Sequence, residues 1–280
     1  MITSVVFSKN RACQLDLLLR SIEKNLPQFE NIWVLYEATT PSFFAGYELL
    51  ISRFPKIHFI KQINFQTDTF YLLNNIACKY VCFFVDDNVI TRKCSIIGSD
   101  ILNTCVFKDQ NAACFSLRLG TNIKIQDIYN NLPIEYPKDF SYYIIEPYKE
   151  QILLWNWTTI RTFGDFGYPF SVDGHIYQKK DILPFLTYEF DTPNAFEGRF
   201  DKNKLTQNRM YCFANSVIVN NPINIVGSSN NNAGKYYGYT LEELNNKYLH
   251  NNIINLEPIM QEKIIACHQE IQIQFKHEKV

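Results

Sequence analysis

The chain has 280 residues, enough to bury a sizeable core as one large domain or two small ones. Hydrophobic residues make up 46% and charged residues 20%, and the net charge of −1 excludes a global attraction to nucleic acid or to an anionic membrane. No run of about 18 apolar residues is present, so no membrane span is expected, and the eight cysteines form no C-x-x-C pair, which points to buried free thiols rather than zinc or a disulfide framework.

The N-terminal stretch Met1–Ser8 lacks a charged leader and reads as a first strand, Ile2–Phe7, not as a signal peptide. A reducing cytoplasm fits this reading; peripheral association with a membrane-bound assembly stays open. The loop Ser8-Lys9-Asn10-Arg11 leads into a helical pattern with Leu15, Leu18, Leu19 and Ile22 on one face. Ile32–Tyr36 is a second strand. Thr40-Pro41 supplies an N-cap hydroxyl and a first-turn proline for a helix continued by Phe44, Tyr47, Leu50 and Ile51. Ile57–Ile60 is a third strand, Thr67–Lys79 a helix, and Tyr80–Val85 a fourth strand. This alternation predicts right-handed βαβ crossovers and a parallel sheet.

The fourth strand carries no charge and ends directly in Asp86-Asp87-Asn88. Unpaired carboxylates beside a core are costly. In open α/β sheets ligands bind at the carboxyl ends of the strands. A divalent cation carrying a phosphorylated substrate accounts for the acid pair economically, whereas a solvated Asp-Asp turn accounts for it blandly.

The second half is less regular. Ala112–Leu117 predicts another buried strand, and Tyr142–Ile145 and Leu153–Trp157 shorter ones. Phe170–Tyr177 alternates around Asp173-Gly174, a hairpin-turn pair. Asp181–Leu186 begins a helix, and Asn194 and Glu197 have the spacing of a capping box. Ser216–Val219 is a late strand, Ser228–Lys235 a mobile loop, and Thr240-Leu241-Glu242-Glu243 a capped helix start. A final helical stretch runs from Pro258 to about Phe275. No internal repeat is visible.

These motifs together resemble a nucleotide-sugar-dependent glycosyltransferase with the GT-A fold, of the bacterial or viral type. The resemblance rests on the opening strand with Ser8-Lys9-Asn10-Arg11, on Val85-Asp86-Asp87-Asn88 as a D-x-D or x-D-D signature, and on Tyr168–Tyr177 with Asn194–Arg199 as an acceptor-side block. Asn88 departs from the strict D-x-D pattern. The resemblance implies an α/β fold with a Rossmann-like, mostly parallel central sheet flanked by helices and a less regular acceptor-side half. It divides the chain into a nucleotide-sugar-binding half, 1–110, an acceptor-binding and catalytic half of the same domain, 111–250, and a C-terminal helical extension, 251–280.

The implied reaction moves a sugar from a nucleotide-diphosphate donor, a UDP-sugar first, to a hydroxyl of a glycan or lipid-linked oligosaccharide, as in polysaccharide biosynthesis. Inversion is expected, because a candidate base is visible and no covalent nucleophile is. The cofactor is Mn²⁺ or Mg²⁺, held by Asp87 and, in the sharper of two readings, by His175; in the other reading His175 merely opens a return strand. Asp86 holds the ribose or a metal-bound water. Ser8, Asn10, Arg11 and Lys235 complete the donor site, with arginine suited to bases and phosphates. Lys235, Tyr236 and Tyr237 suit a lid.

Glu197 is the expected general base and Asp173 its competitor; the bland reading makes Glu197 a cap. Trp155 and Trp157 face one side of a strand, as core or as a sugar-stacking platform. Two rivals remain: a nucleotidyltransferase, which would normally show a glycine-rich basic loop near the first strand, and an inactive glycosyltransferase-like binding protein, which Asn88 favours.

Overall fold

The computed structural model describes residues 1–94, 96–126, 131–146, 148–160, 164–199, 205–224, 234 and 236–278. The first half follows the predicted alternation: β1 (Ile2–Lys9), α1 (Ala12–Asn25), β2 (Asn31–Glu37), α2 (Pro41–Arg53), β3 (His58–Lys61), α3 (Phe65–Asn75), β4 (Tyr80–Val85) and β5 (Asn88–Ile90). Thr40 caps α2 through its hydroxyl and Asn64 caps α3 through its amide oxygen, each accepting the N–H three residues on. The third helix therefore starts before Thr67 and stops at Asn75.

The second half contains α4 (Ser99–Ile101), β6 (Ala112–Ser116), β7 (Ile125–Gln126), β8 (Leu132–Pro133), β9 (Ser141–Ile145), β10 (Glu150–Asn156), β11 (His175–Gln178), α5 (Lys179–Ile182), α6 (Pro193–Arg199), β12 (Arg209–Phe213) and β13 (Ile218–Asn220). It closes with α7 (Leu241–Leu249), β14 (Asn252–Ile254), α8 (Leu256–Gln261) and β15 (Phe275–His277).

One nine-stranded sheet joins both halves in the order β3-β2-β1-β4-β11-β6-β12-β10-β9. Only β11 and β10 run against the rest. This is the expected mostly parallel sheet flanked by helices. β1 and β4 are interior strands, third and fourth in this order, and their Val5, Val6, Phe83 and Phe84 are fully or almost fully buried, as strands covered on both faces must be. The carboxyl ends of β1 and β4 lie side by side, Phe7 opposite Val85, so the loop after β1 meets the acids after β4.

Several local expectations give way. Phe170–Tyr177 is no hairpin: β11 begins at His175 and pairs with β4 and β6. Gly174 has φ +70°, and a Cβ there would lie 2.1 Å from Ile218 Cδ1, so both backbone and space require glycine. The helix from Pro258 toward Phe275 ends at Gln261. Beyond it the chain runs as an extended strap, in which Ile264 and Ala266, and again Ile271 and Ile273, are buried two residues apart. The C-terminal region docks on α1 through the buried Asp16, which receives Arg20, Arg53 and the Tyr248 hydroxyl. All eight cysteines are free thiols, six of them buried. Among the described residues no helix is long and apolar enough to cross a membrane.

Candidate active site

The site is built where several chain segments converge at one end of the central strands. After β1, Asn10 takes a left-handed φ of 58°, which asparagine tolerates, and turns the chain into α1. Its side chain is tied to Thr39, donating to Oγ1 at 2.9 Å and accepting the Thr39 N–H at 2.8 Å. Ser8 is buried and shares a 2.6 Å hydrogen bond with the Tyr47 hydroxyl. Arg11 points across the sheet end and donates to Asp86 at 3.0 Å and to Asp87 at 2.9 Å. Its second nitrogen donates to the Asn224 carbonyl. Among the described residues the Arg11 Nε and the Asn224 side-chain amide are buried donors without a hydrogen-bond partner.

Asp86 and Asp87 divide the work at the end of β4. Asp86 accepts the Lys9 N–H as well as Arg11, so it faces inward and locks two loops together. Asp87 accepts Arg11 on one oxygen and the Asn220 amide on the other. Burial, opposed by Arg11 and reinforced by the charges of Asp86 and Asp173, pushes the Asp87 carboxyl above the usual carboxylate range.

Asn88, the departure from the D-x-D pattern, has a structural reason. Its amide oxygen accepts the Val85 N–H and its amide nitrogen donates to Asp173 Oδ1 at 3.1 Å, with the residue fully buried. An aspartate at this position would set two buried carboxylates against each other.

Asp173 lies at the heart of a polar network. One oxygen receives Asn88 and Asn220, and the other receives Arg118 at 3.3 Å and faces His268 Nε2 at 3.6 Å. Burial alone would raise its pKa; His268, Arg118 and Asn88 outweigh burial and hold it well below the carboxylate range. Arg118 also donates to Ser171 Oγ and to Asp165, each at 2.8 Å.

Glu197 is not a cap. Thr192 caps α6, its hydroxyl accepting the Ala195 N–H at 3.1 Å, and Pro193 opens the helix. This frees the Glu197 carboxylate to accept the Val172 N–H at 2.6 Å and to meet the Tyr168 hydroxyl at 3.5 Å. Burial, with the charge of Asp173 added, pushes Glu197 up to about 7, against the Val172 N–H and Arg118. Beneath it lies a tight apolar crevice of Phe83, Phe170, Tyr177 and Phe196.

The structure thus brings together Arg11, Asp86, Asp87, Asp173 and, through the 171–173 turn, Glu197. His175 behaves differently. It is 1% exposed, its Nδ1 faces Cys114 Sγ at 3.6 Å and the Pro169 carbonyl at 3.4 Å, and its described hydrogen bonds do not reach Asp86 or Asp87. Burial and the nearby Arg118 charge push it down to about 3, so it stays neutral. Trp155 and Trp157 are buried, and their indole N–H groups donate to the carbonyls of Phe166 and Gln207, so they serve the core. Lys235 and most of the Ser228–Tyr237 segment lie outside the described residues.

Three participants escaped the sequence reading. Arg118 carried a signal, a cation directly after a buried strand, the same logic that exposes Asp86. Asn220, at the end of β13, and His268, in the C-terminal strap, carry no local pattern and reach the site only through tertiary contact.

No family model matches the chain. A search of curated proteins finds similarity to the bifunctional glycosyltransferase pgtA of Dictyostelium discoideum, 26% identical over 236 residues, covering 74% of this chain and 29% of that protein. The chain therefore spans under a third of that relative's length. This similarity agrees with the glycosyltransferase resemblance drawn from the motifs. Among solved structures, the chain is similar to S. aureus TarS 1-349, with 15% identity, a TM-score of 0.46, and coverage of 78% of this chain and 59% of that one. It is also similar to the mannosyltransferase PcManGT of Pyrobaculum calidifontis, determined with GDP-Man and Mn²⁺, with 11% identity, a TM-score of 0.39, and coverage of 75% and 53%.

Proposed function

We propose that the chain is a nucleotide-sugar-dependent glycosyltransferase in which Glu197 is the general base. The observation that carries this reading is the Glu197 carboxylate itself: released from capping by Thr192, held on one backbone N–H, and pushed up to about 7. A base poised near neutral pH accepts a hydroxyl proton and still ionises in water. Asp173 is the weaker candidate, because its two oxygens are engaged by Asn88, Asn220, Arg118 and His268 and its basicity is suppressed.

The donor diphosphate lies at the β1 and β4 ends in this reading, where Arg11 Nε and the Asn224 amide are donors without acceptors among the described residues. The chemistry of the acid cluster fits a divalent ion. Asp86, Asp87 and Asp173 crowd one end of the sheet, and each Asp87 oxygen keeps a lone pair after its one hydrogen bond. Among the described residues no group of three or more His, Cys, Asp or Glu encloses an ion. Asp87 would therefore hold it from the protein side, with donor oxygens and water completing the shell. Such an ion supplies charge neutralisation for the departing diphosphate. His175, neutral and packed in the core, is assigned to packing in this account.

The protein's own part in the transfer then follows. The acceptor hydroxyl gives its proton to Glu197 as its oxygen bonds to the anomeric carbon. The bond from that carbon to the diphosphate oxygen breaks, and the nucleoside diphosphate leaves. With the base acting on the acceptor and no covalent nucleophile invoked, the anomeric configuration inverts. The acceptor class proposed is a glycan or lipid-linked oligosaccharide hydroxyl. Release of nucleoside diphosphate from a panel of UDP- and GDP-sugars, with oligosaccharide acceptors, tests the reading. Turnover with at least one donor supports it, and no turnover with any donor in the presence of Mn²⁺ or Mg²⁺ counts against it.

A further inference from the structure

Between Arg118 and Glu197 runs a short chain of contacts that local packing alone does not require. The turn that presents the Val172 N–H to Glu197 is held on both sides. On one side the Tyr177 hydroxyl accepts the Ser171 N–H at 2.8 Å and lies 2.9 Å from the Ser171 carbonyl. On the other side Arg118 Nη1 reaches Ser171 Oγ at 2.8 Å and Asp173 Oδ2 at 3.3 Å, and Ser171 Oγ accepts the Asp173 N–H at 3.1 Å. Val172 stands between these two pinned residues, and its N–H gives the base a 2.6 Å hydrogen bond.

The anchor of this arrangement is a buried guanidinium, 5% exposed, whose other terminal nitrogen is fixed by Asp165 at 2.8 Å and faces His268 Nδ1 at 3.3 Å. A planar fork suits two diverging anchor points better than the single ammonium of lysine does.

We propose that Arg118 is the positioning residue of the base: with one arm of its planar fork held by Asp165, the other arm, Nη1, pins both Ser171 and Asp173, and so fixes the Val172 N–H and the Glu197 carboxylate. This inference rests on the reading of Glu197 as the base. Arg118 touches neither the base nor, in this account, the substrate. It acts through geometry and, secondarily, through charge. The groups that face Glu197 are the Tyr168 hydroxyl, the Val172 N–H, Ser171, Asp173 and Arg118. Asp173 raises the proton affinity of Glu197 and Arg118 lowers it. Removing the guanidinium therefore loosens the base and moves its titration upward.

The test uses the full chain with Arg118→Lys, Arg118→Gln, Glu197→Gln and the double variant Arg118→Gln/Glu197→Gln. Nucleoside diphosphate release is measured across pH, alongside nucleotide affinity and thermal melting. Arg118→Lys keeps the charge and loses the fork, so kcat should fall by roughly 10-fold with its acid limb unmoved and nucleotide affinity unchanged. Arg118→Gln should fall further and shift the acid limb to higher pH. In the double variant the loss should equal that of Glu197→Gln alone, because a residue acting through the base has nothing left to position. Multiplying losses, or an unchanged kcat in Arg118→Lys, overturns the proposal. Full turnover by Glu197→Gln overturns the base reading itself, a separate outcome. If Arg118→Gln fails to fold, the Arg118→Lys rate and pH profile still decide.

Discussion

Replacing Glu197 by Gln separates catalysis from stability at one position. The amide keeps the shape and can accept the Val172 N–H through its oxygen, but it cannot take a proton. As the base, Glu197 is worth roughly 10²–10⁴ in rate, so kcat should fall by that factor with nucleotide affinity nearly unchanged. The stability change runs the other way. The carboxyl is pushed from its ordinary 4.5 up to about 7 in the folded protein. An acid with a raised folded pKa binds its proton more tightly in the fold. Its penalty is therefore absent below the unfolded pKa, grows as pH rises, and is complete above about 7.

At about 1.4 kcal/mol per pKa unit the full shift sets an upper bound near 3 kcal/mol, and solvent reaching the half-buried carboxylate brings it to about 1–2 kcal/mol. Glutamine carries no such penalty. Glu197→Gln should melt about 2–6 °C higher than wild type at pH 8 and at the same temperature near pH 4. Melting curves at both pH values, with nucleoside diphosphate release at pH 8, measure both effects. A variant that keeps kcat within threefold, or that melts lower at pH 8 as a broken cap would, refutes the reasoning.

Two further outcomes follow from the same geometry. Wild-type kcat should rise with pH through an acid limb near 7, because only ionised Glu197 accepts the acceptor proton, and a flat profile between pH 5 and 8 would remove it as the base. Asn88→Asp should destabilise the fold by about 2–5 kcal/mol at pH 8, and less as falling pH lets the pair take up a proton, because it sets a second carboxylate against Asp173 Oδ1; equal melting temperatures at pH 8 would contradict this.

Most of the first half was legible because its signals are local. β1, β2 and β4 are apolar runs of strand length, and α1 repeats its leucines at helical spacing. The acid pair after β4 was legible for a physical reason, since charge directly after a buried strand must find a partner or a ligand. At Glu197 the local signal misleads: Asn194 and Glu197 have cap spacing, yet Thr192 caps the helix two residues earlier and leaves the Glu197 carboxylate to Val172. His175 misled in the other direction. A histidine after Asp-Gly beside an acid signature suggests a ligand, whereas β11 inserts between β4 and β6 and carries the ring into the core. The C-terminal strap was misread because Ile271 and Ile273 alternate with exposed Gln272 and Gln274, a period of two that too few residues express to stand out. Arg118, Asn220 and His268 meet Asp173 across 55, 47 and 95 residues of chain, and no spacing rule reaches that far.

In the proposed reaction a nucleoside diphosphate is held at the carboxyl ends of β1 and β4 with Asp87 as its anchor. Calorimetric titration with UDP and with GDP, in Mn²⁺ and in EDTA, on wild type and Asp87→Asn, tests it directly. One of the two nucleotides should bind in Mn²⁺, with affinity dropping at least about 10-fold in EDTA and in the variant, the loss expected when a hard oxygen ligand or its ion is removed. Equal binding in EDTA and in Asp87→Asn, or no binding of either nucleotide to wild type, would contradict it.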